Sequence, residues 1–130
     1  MRMLQRLLAL AFLLPALALA APQDISREDL LARLSQPAGA PPVLLVDVRS
    51  AEEFAAGHLP GALNIPHDAI ESRLGEFAGL ARGKDVVLYC RSGRRTALAA
   101  EVLEKHGYTG LRHLDGDYAG WTAAGKAVEK

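Results

Sequence analysis

Cys90 is the only cysteine among 130 residues, and Arg91-Ser92-Gly93-Arg94-Arg95-Thr96 follows it directly. The thiolate is the reactive form of cysteine, and a thiol beside arginines or at a helix N-terminus ionises below the ordinary value of about 8.5. Arginines also bind anions by charge-assisted hydrogen bonds. The chemistry these residue types suit is attack by Cys90 on a small anionic substrate, with Arg91, Ser92, Gly93, Arg94, Arg95 and Thr96 as the binding loop. The competing reading is a small buried apolar residue at a strand end, the commoner fate of an unpaired cysteine. The polar run after Cys90 favours the nucleophile.

Such a loop acts only if rigid elements hold it. Val86-Val87-Leu88-Tyr89 ahead of it is an apolar run of strand length, and the stretch from about Arg94 to His106 behind it favours a helix closed by Gly107. Strand, tight loop and helix start turn several backbone N–H groups toward one point, and the helix end adds about half a positive charge. Gly93 supplies the backbone freedom a tight cradle requires.

The rest of the chain alternates strand and helix signals. Asp24-Ile25 reads as a short edge strand or lead-in. Ser26-Arg27-Glu28-Asp29 resembles a capping box, with Leu30, Leu31 and Leu34 as the apolar stripe of the helix it opens. Gln36 to Pro42 is a connecting loop. Val43-Leu44-Leu45-Val46-Asp47-Val48 has the unbroken apolar character of a strand buried on both faces of a parallel sheet. A second capping box, Ser50-Ala51-Glu52-Glu53, opens a short helix that Phe54 anchors and Gly57 stops. Ile70, Leu74, Phe77 and Leu80 predict one amphipathic helix over 67–80. Leu111-Arg112-His113-Leu114 is a last short strand, and Asp115-Gly116-Asp117 turns into a segment carrying Tyr118 and Trp121. The pattern predicts a single α/β domain with a mainly parallel sheet flanked by helices. In such sheets ligands bind beyond the carboxyl ends of the strands, where Cys90 falls and where Asp47 and Arg49 occupy the matching end of another strand.

Length and charge narrow the field. The chain suffices for one domain and not two. Arg2 and Arg6, the apolar Leu7–Leu19 and Ala18-Leu19-Ala20 make residues 1–20 read as a cleaved signal peptide, which leaves a domain over 21–130 and a periplasmic location. That portion carries 13 basic and 15 acidic residues, a balance that gives no reason to expect nucleic acid or, after cleavage, a membrane as partner. One cysteine forms no internal disulfide, and four scattered histidines show no metal-ligand spacing. No metal and no other cofactor is expected.

Asp47-Val48-Arg49-Ser50-Ala51-Glu52-Glu53-Phe54, then Gly57-His58-Leu59-Pro60-Gly61-Ala62-Leu63-Asn64-Ile65-Pro66, then the Cys90 loop, then Leu114-Asp115-Gly116-Asp117 with Trp121, resemble the successive signatures of a rhodanese domain. With the leader, the chain is most similar to small periplasmic single-domain thiosulfate sulfurtransferases. The resemblance implies a five-stranded parallel sheet and a Cys90 that takes sulfane sulfur from thiosulfate as a persulfide. Cys90 then passes it to cyanide, to a thiol or to an acceptor protein. Many members have paired glycines where this chain has Gly116-Asp117, a change expected to alter the rim of the site and to leave catalysis untouched.

The loop suits that chemistry on its own terms. Arginines and amides would hold the sulfonate, and the amides of 91–96 would solvate an anionic persulfide as an oxyanion hole solvates oxygen. Arg91 is expected to recruit the donor. Arg94 and Arg95 either contact the anion or tie the loop down through Asp47, with Arg94 favoured as the contact. Asp47 and Arg49 are expected to form ion pairs that fix the strand end and the Glu53 helix. Two other functions compete. Cysteine-arginine loops also hydrolyse phosphate esters or reduce arsenate, but those place five residues between the two, whereas here position 96 is Thr96 and Arg95 comes one residue early. A non-catalytic binding module would leave Cys90 unreactive. His58 is expected to bond backbone and Trp121 to pack in the core.

Overall fold

A computed structural model describes residues 21–35 and 41–130. The expected leader, and positions 36–40 of the expected loop, lie outside the described residues. Five strands, β1 (Gln23–Ile25), β2 (Val43–Asp47), β3 (Leu63–Asn64), β4 (Asp85–Tyr89) and β5 (Arg112–Leu114), form one sheet in the order β1-β5-β4-β2-β3, every pairing parallel. The helices are α1 (Arg27–Leu34), α2 (Ala51–Ala56), α3 (Leu74–Ala81), α4 (Arg94–Lys105) and α5 (Asp117–Ala123). Among the described residues no helix is long and apolar enough to cross a membrane.

Side chains alternate across a strand, so the apolar runs of β2 and β4 build two cores at once. Leu44, Val46, Val86, Leu88 and Cys90 face Phe77 of α3 and Ala99, Ala100 and Leu103 of α4. Leu45, Val87 and Tyr89 face the other way, with Leu30 of α1 and Trp121 of α5. Trp121 is 1% exposed, and its indole N–H donates to the Ala127 carbonyl at 2.9 Å.

Local signals hold where they are strongest. The Ser50 hydroxyl accepts the Glu53 N–H at 3.2 Å while Glu53 accepts the Ser50 N–H, the complete reciprocal cap. At Ser26 only the forward half forms, from Asp29 N–H at 3.0 Å. The helix expected over 67–80 is a correction. The chain makes two 3₁₀ turns, His67–Ala69 and Glu71–Arg73, and becomes α-helical only at Leu74. Ala69 N–H bonds Pro66 O, Arg73 N–H bonds Ile70 O, and the Ser72 hydroxyl caps Ala69 O at 3.0 Å, so three-residue bonds displace the four-residue ladder. The apolar face survives, because Ile70 and Phe77 are both fully buried.

Candidate active site

The carboxyl ends of β2, β4 and β5 converge on the Cys90 loop. Cys90 is 1% exposed and packs at the edge of the α4-side core. A small apolar residue would be buried as deeply. What sets this one apart is that its Sγ accepts the Gly93 N–H at 3.0 Å, which puts the sulfur on the floor of the loop. Gly93 achieves this at φ +116°, a conformation that L side chains rarely adopt.

Gly93 is also the N-cap of α4, and it offers no side chain to the helix end. The ladder begins with Ala97 N–H on Gly93 O at 3.1 Å, which leaves the first-turn amides of Arg94, Arg95 and Thr96 without a helical carbonyl. Thr96 is buried, and its hydroxyl has no hydrogen-bond partner. Ser92 is exposed on the loop. Sulfur, unpaired amides and a helix end thus make a cradle suited to an anion, with a thiol at its base.

The arginines divide into two sets. Arg91 and Arg94 are exposed and pair with no carboxylate among the described residues. Arg95 is committed elsewhere, with Nη1 on Glu53 Oε1 at 2.5 Å and Nη2 on Oε2 at 3.0 Å. Its partner is Glu53 and not the expected Asp47, because Asp47 is already occupied. The Arg95 guanidinium holds the Glu53 carboxyl down at about 2. The arginine nearest to the phosphate-ester spacing is therefore engaged outside the loop.

Asp47 is fully buried and receives Arg49 through Nε at 3.0 and 3.1 Å and Nη2 at 2.7 Å. Arg49 also donates to Gly57 O at 2.6 Å and lies 3.9 Å over the Tyr118 ring. Burial works against the Arg49 charge, but the Asp47 hydrogen bonds and charge outweigh it and raise its pKa. The pair fixes the end of β2, and Arg49 links it to the residues that follow α2 and to α5. Beside it a cleft of about 320 Å³ opens between Arg49, Glu53, Arg91, Tyr118, Ala119 and Thr122. His58 Nδ1 bonds Phe54 O at 2.8 Å, and its ring stacks on Phe54. Among the described residues no three His, Cys, Asp or Glu side chains cluster as a metal site requires.

Spacing did not reveal Asp117. Far from lying at the rim, it is 2% exposed behind the loop, where its Oδ1 accepts the Cys90 N–H at 3.0 Å. Its φ of +53° is the left-handed conformation that glycine adopts freely, which explains why a glycine suits the position. Tyr118 N–H on Cys90 O and Ala119 N–H on Arg91 O continue the seam between α5 and the loop. The signal available in the sequence was Gly116-Asp117 itself, an acid directly after a glycine in the turn that follows the last strand.

Comparison with known proteins agrees with this geometry. A family model described as the rhodanese-like domain matches residues 27–124. A sulfurtransferase of Allochromatium vinosum is 38% identical over 105 residues, covering 81% of this chain and 92% of its own. The human thiosulfate:glutathione sulfurtransferase is 40% identical over 88 residues, covering 59% of this chain and 76% of its own. The solved structure of a human single-domain sulfurtransferase superposes with a TM-score of 0.62 at 36% identity, covering 80% of this chain and 97% of that one. With the five-stranded parallel sheet, the cysteine at the end of its central strand and these relatives in agreement, the chain belongs to the rhodanese-like domain family, whose members similar to it include proteins named sulfurtransferase.

Proposed function

We propose that this protein is a thiosulfate sulfurtransferase with Cys90 as its nucleophile. The observation that carries the reading is the Cys90 sulfur on the floor of a loop whose next three helical amides are unpaired and whose Arg91 and Arg94 are uncommitted. Thiosulfate is a dianion, so such a loop draws it in and orients it. The Cys90 thiolate attacks the outer sulfur, the S–S bond of thiosulfate breaks, and sulfite leaves with the bonding electron pair. The product is an anionic Cys90 persulfide. The amides that held the sulfonate then face the persulfide, a charge they stabilise without reorganising. A thiophile such as cyanide or a thiol takes the terminal sulfur and restores the thiolate. The resemblance to the human thiosulfate:glutathione sulfurtransferase supports thiosulfate as donor and a thiol as acceptor.

The basic and apolar start of the chain supports action outside the cytoplasm after cleavage following Ala20. N-terminal sequencing of the protein from a periplasmic extract tests this, with Ala21 as the expected first residue. For the reaction, thiocyanate formation from thiosulfate and cyanide is the assay. Wild-type protein should turn over and Cys90→Ser should not; a Cys90→Ser protein as active as wild type would refute the mechanism.

A further inference from the structure

Behind the loop lies a histidine-carboxylate pair that the sulfur-transfer step itself does not use. His113 of β5 sets Nε2 2.9 Å from both carboxylate oxygens of Asp117, and Asp117 Oδ1 holds the Cys90 N–H. The same two side chains press on the other key residue of the loop. A Cβ on Gly93 would lie 3.4 Å from Asp117 Oδ2 and 3.4 Å from His113 Cε1. Both residues that define the environment of the sulfur, Cys90 and Gly93, therefore rest on one histidine-carboxylate pair.

We propose that His113 and Asp117 are a charge-compensating pair behind Cys90, in which protonated His113 neutralises the carboxylate that accepts the Cys90 N–H beside an anion-binding loop. Resting on the thiosulfate reading above, this adds a control on donor capture to it. A bare carboxylate behind the loop opposes the thiolate, the dianionic donor and the persulfide alike. Paired with an imidazolium it keeps its hydrogen bond to Cys90 and loses its repulsion.

Surrounding charges favour the protonated ring. Asp24 of β1 lies 3.6 Å from Nδ1, beyond hydrogen-bond range but close enough that its charge adds to that of Asp117 in favouring the doubly protonated ring. The groups facing His113 are Asp24 from β1, Asp115 and Asp117 from the turn into α5, and the Cys90–Gly93 loop ahead of α4. From α1, Arg27 reaches Gly116 and Gly120 on the flank of that turn. The Asp117 hydrogen bond raises the His113 pKa, against the opposing effect of burial.

The test compares wild type, His113→Gln, Asp117→Gly and the double variant. It measures the KM for thiosulfate and, independently of any donor, the rate at which iodoacetamide alkylates Cys90. A unit charge left unpaired within several ångströms changes both by about tenfold. In His113→Gln the alkylation rate should fall and the KM rise by that factor, with kcat changing less. Adding Asp117→Gly should restore both to within about threefold of wild type, since the unpaired charge is then gone. In wild type the KM should climb as pH rises through the raised His113 titration, and in Asp117→Gly it should not. Equal alkylation in wild type and His113→Gln, or a double variant no better than His113→Gln, would overturn the proposal. If His113→Gln does not fold, Asp117→Gly decides, because its φ suits glycine; a pH profile overlaying that of wild type would refute the pair. Should alkylation rates follow the expected order while no protein turns over thiosulfate, the sulfur-transfer reading fails and the pair stands.

Discussion

The Arg95 guanidinium donates to the Glu53 carboxylate through both Nη nitrogens and so ties the first turn of α4 to α2, across 42 positions of sequence. The side chains are 24% and 33% exposed, which places the pair between a surface contact and a buried one. Glu53→Gln should therefore cost only about 1 kcal/mol in urea unfolding. Because the folded-state pKa of Glu53 is depressed to about 2, the stability it adds is present above its unfolded value near 4.5 and disappears as pH falls toward 2. Wild type and Glu53→Gln should thus converge in stability on acidification.

Asp47 and Arg49 behave differently because both are buried. Arg49→Ala strands the Asp47 carboxylate in the core, and the expected loss is about 3–5 kcal/mol. Replacing both, as Asp47→Asn with Arg49→Met, should cost clearly less than Arg49→Ala alone. Thermal melts of the three proteins check the order.

Gly93 carries two constraints at once, a positive φ and side chains 3.4 Å from any added Cβ. Gly93→Ala should cost about 1–3 kcal/mol of stability from backbone strain. It should also slow sulfur transfer by more than its destabilisation explains, because the N–H on the Cys90 sulfur shifts. Activity measured well below the melting temperature separates the two effects.

His113 gives stability the opposite pH dependence to Glu53. Its folded pKa is raised, so its contribution is complete below the unfolded value near 6.5 and is lost as pH rises through the folded one. The stability advantage of wild type over His113→Gln should shrink as pH rises from 6.5 through the folded value, measured by urea unfolding.

What the sequence made legible follows the range of the interaction. Val43–Asp47 and Asp85–Tyr89 declare themselves as buried strands, and the Ser50 cap closes over three residues, because each signal is local. The Cys90 loop was readable for the same reason, its functional groups lying within seven consecutive residues. Partner choice was not. Arg95 takes Glu53 because Arg49 has filled Asp47, and that competition is decided only when β2, α2 and α4 meet. Asp117 reaches Cys90 across 27 positions, through a turn whose left-handed backbone points the carboxylate inward. The helix expected over 67–80 failed on a finer point. Spacing of three and four marks the buried face in either helix type, and Ser72 and the bonds to Pro66 and Ile70 select the tighter turns.

The most direct measurement of the central claim is the intact mass of the purified protein before thiosulfate, after it, and after cyanide. The account predicts a gain of about 32 Da, one sulfur atom, that thiosulfate adds, cyanide removes and Cys90→Ser never acquires. A wild-type mass that thiosulfate leaves unchanged, or a gain that Cys90→Ser shares, would contradict it.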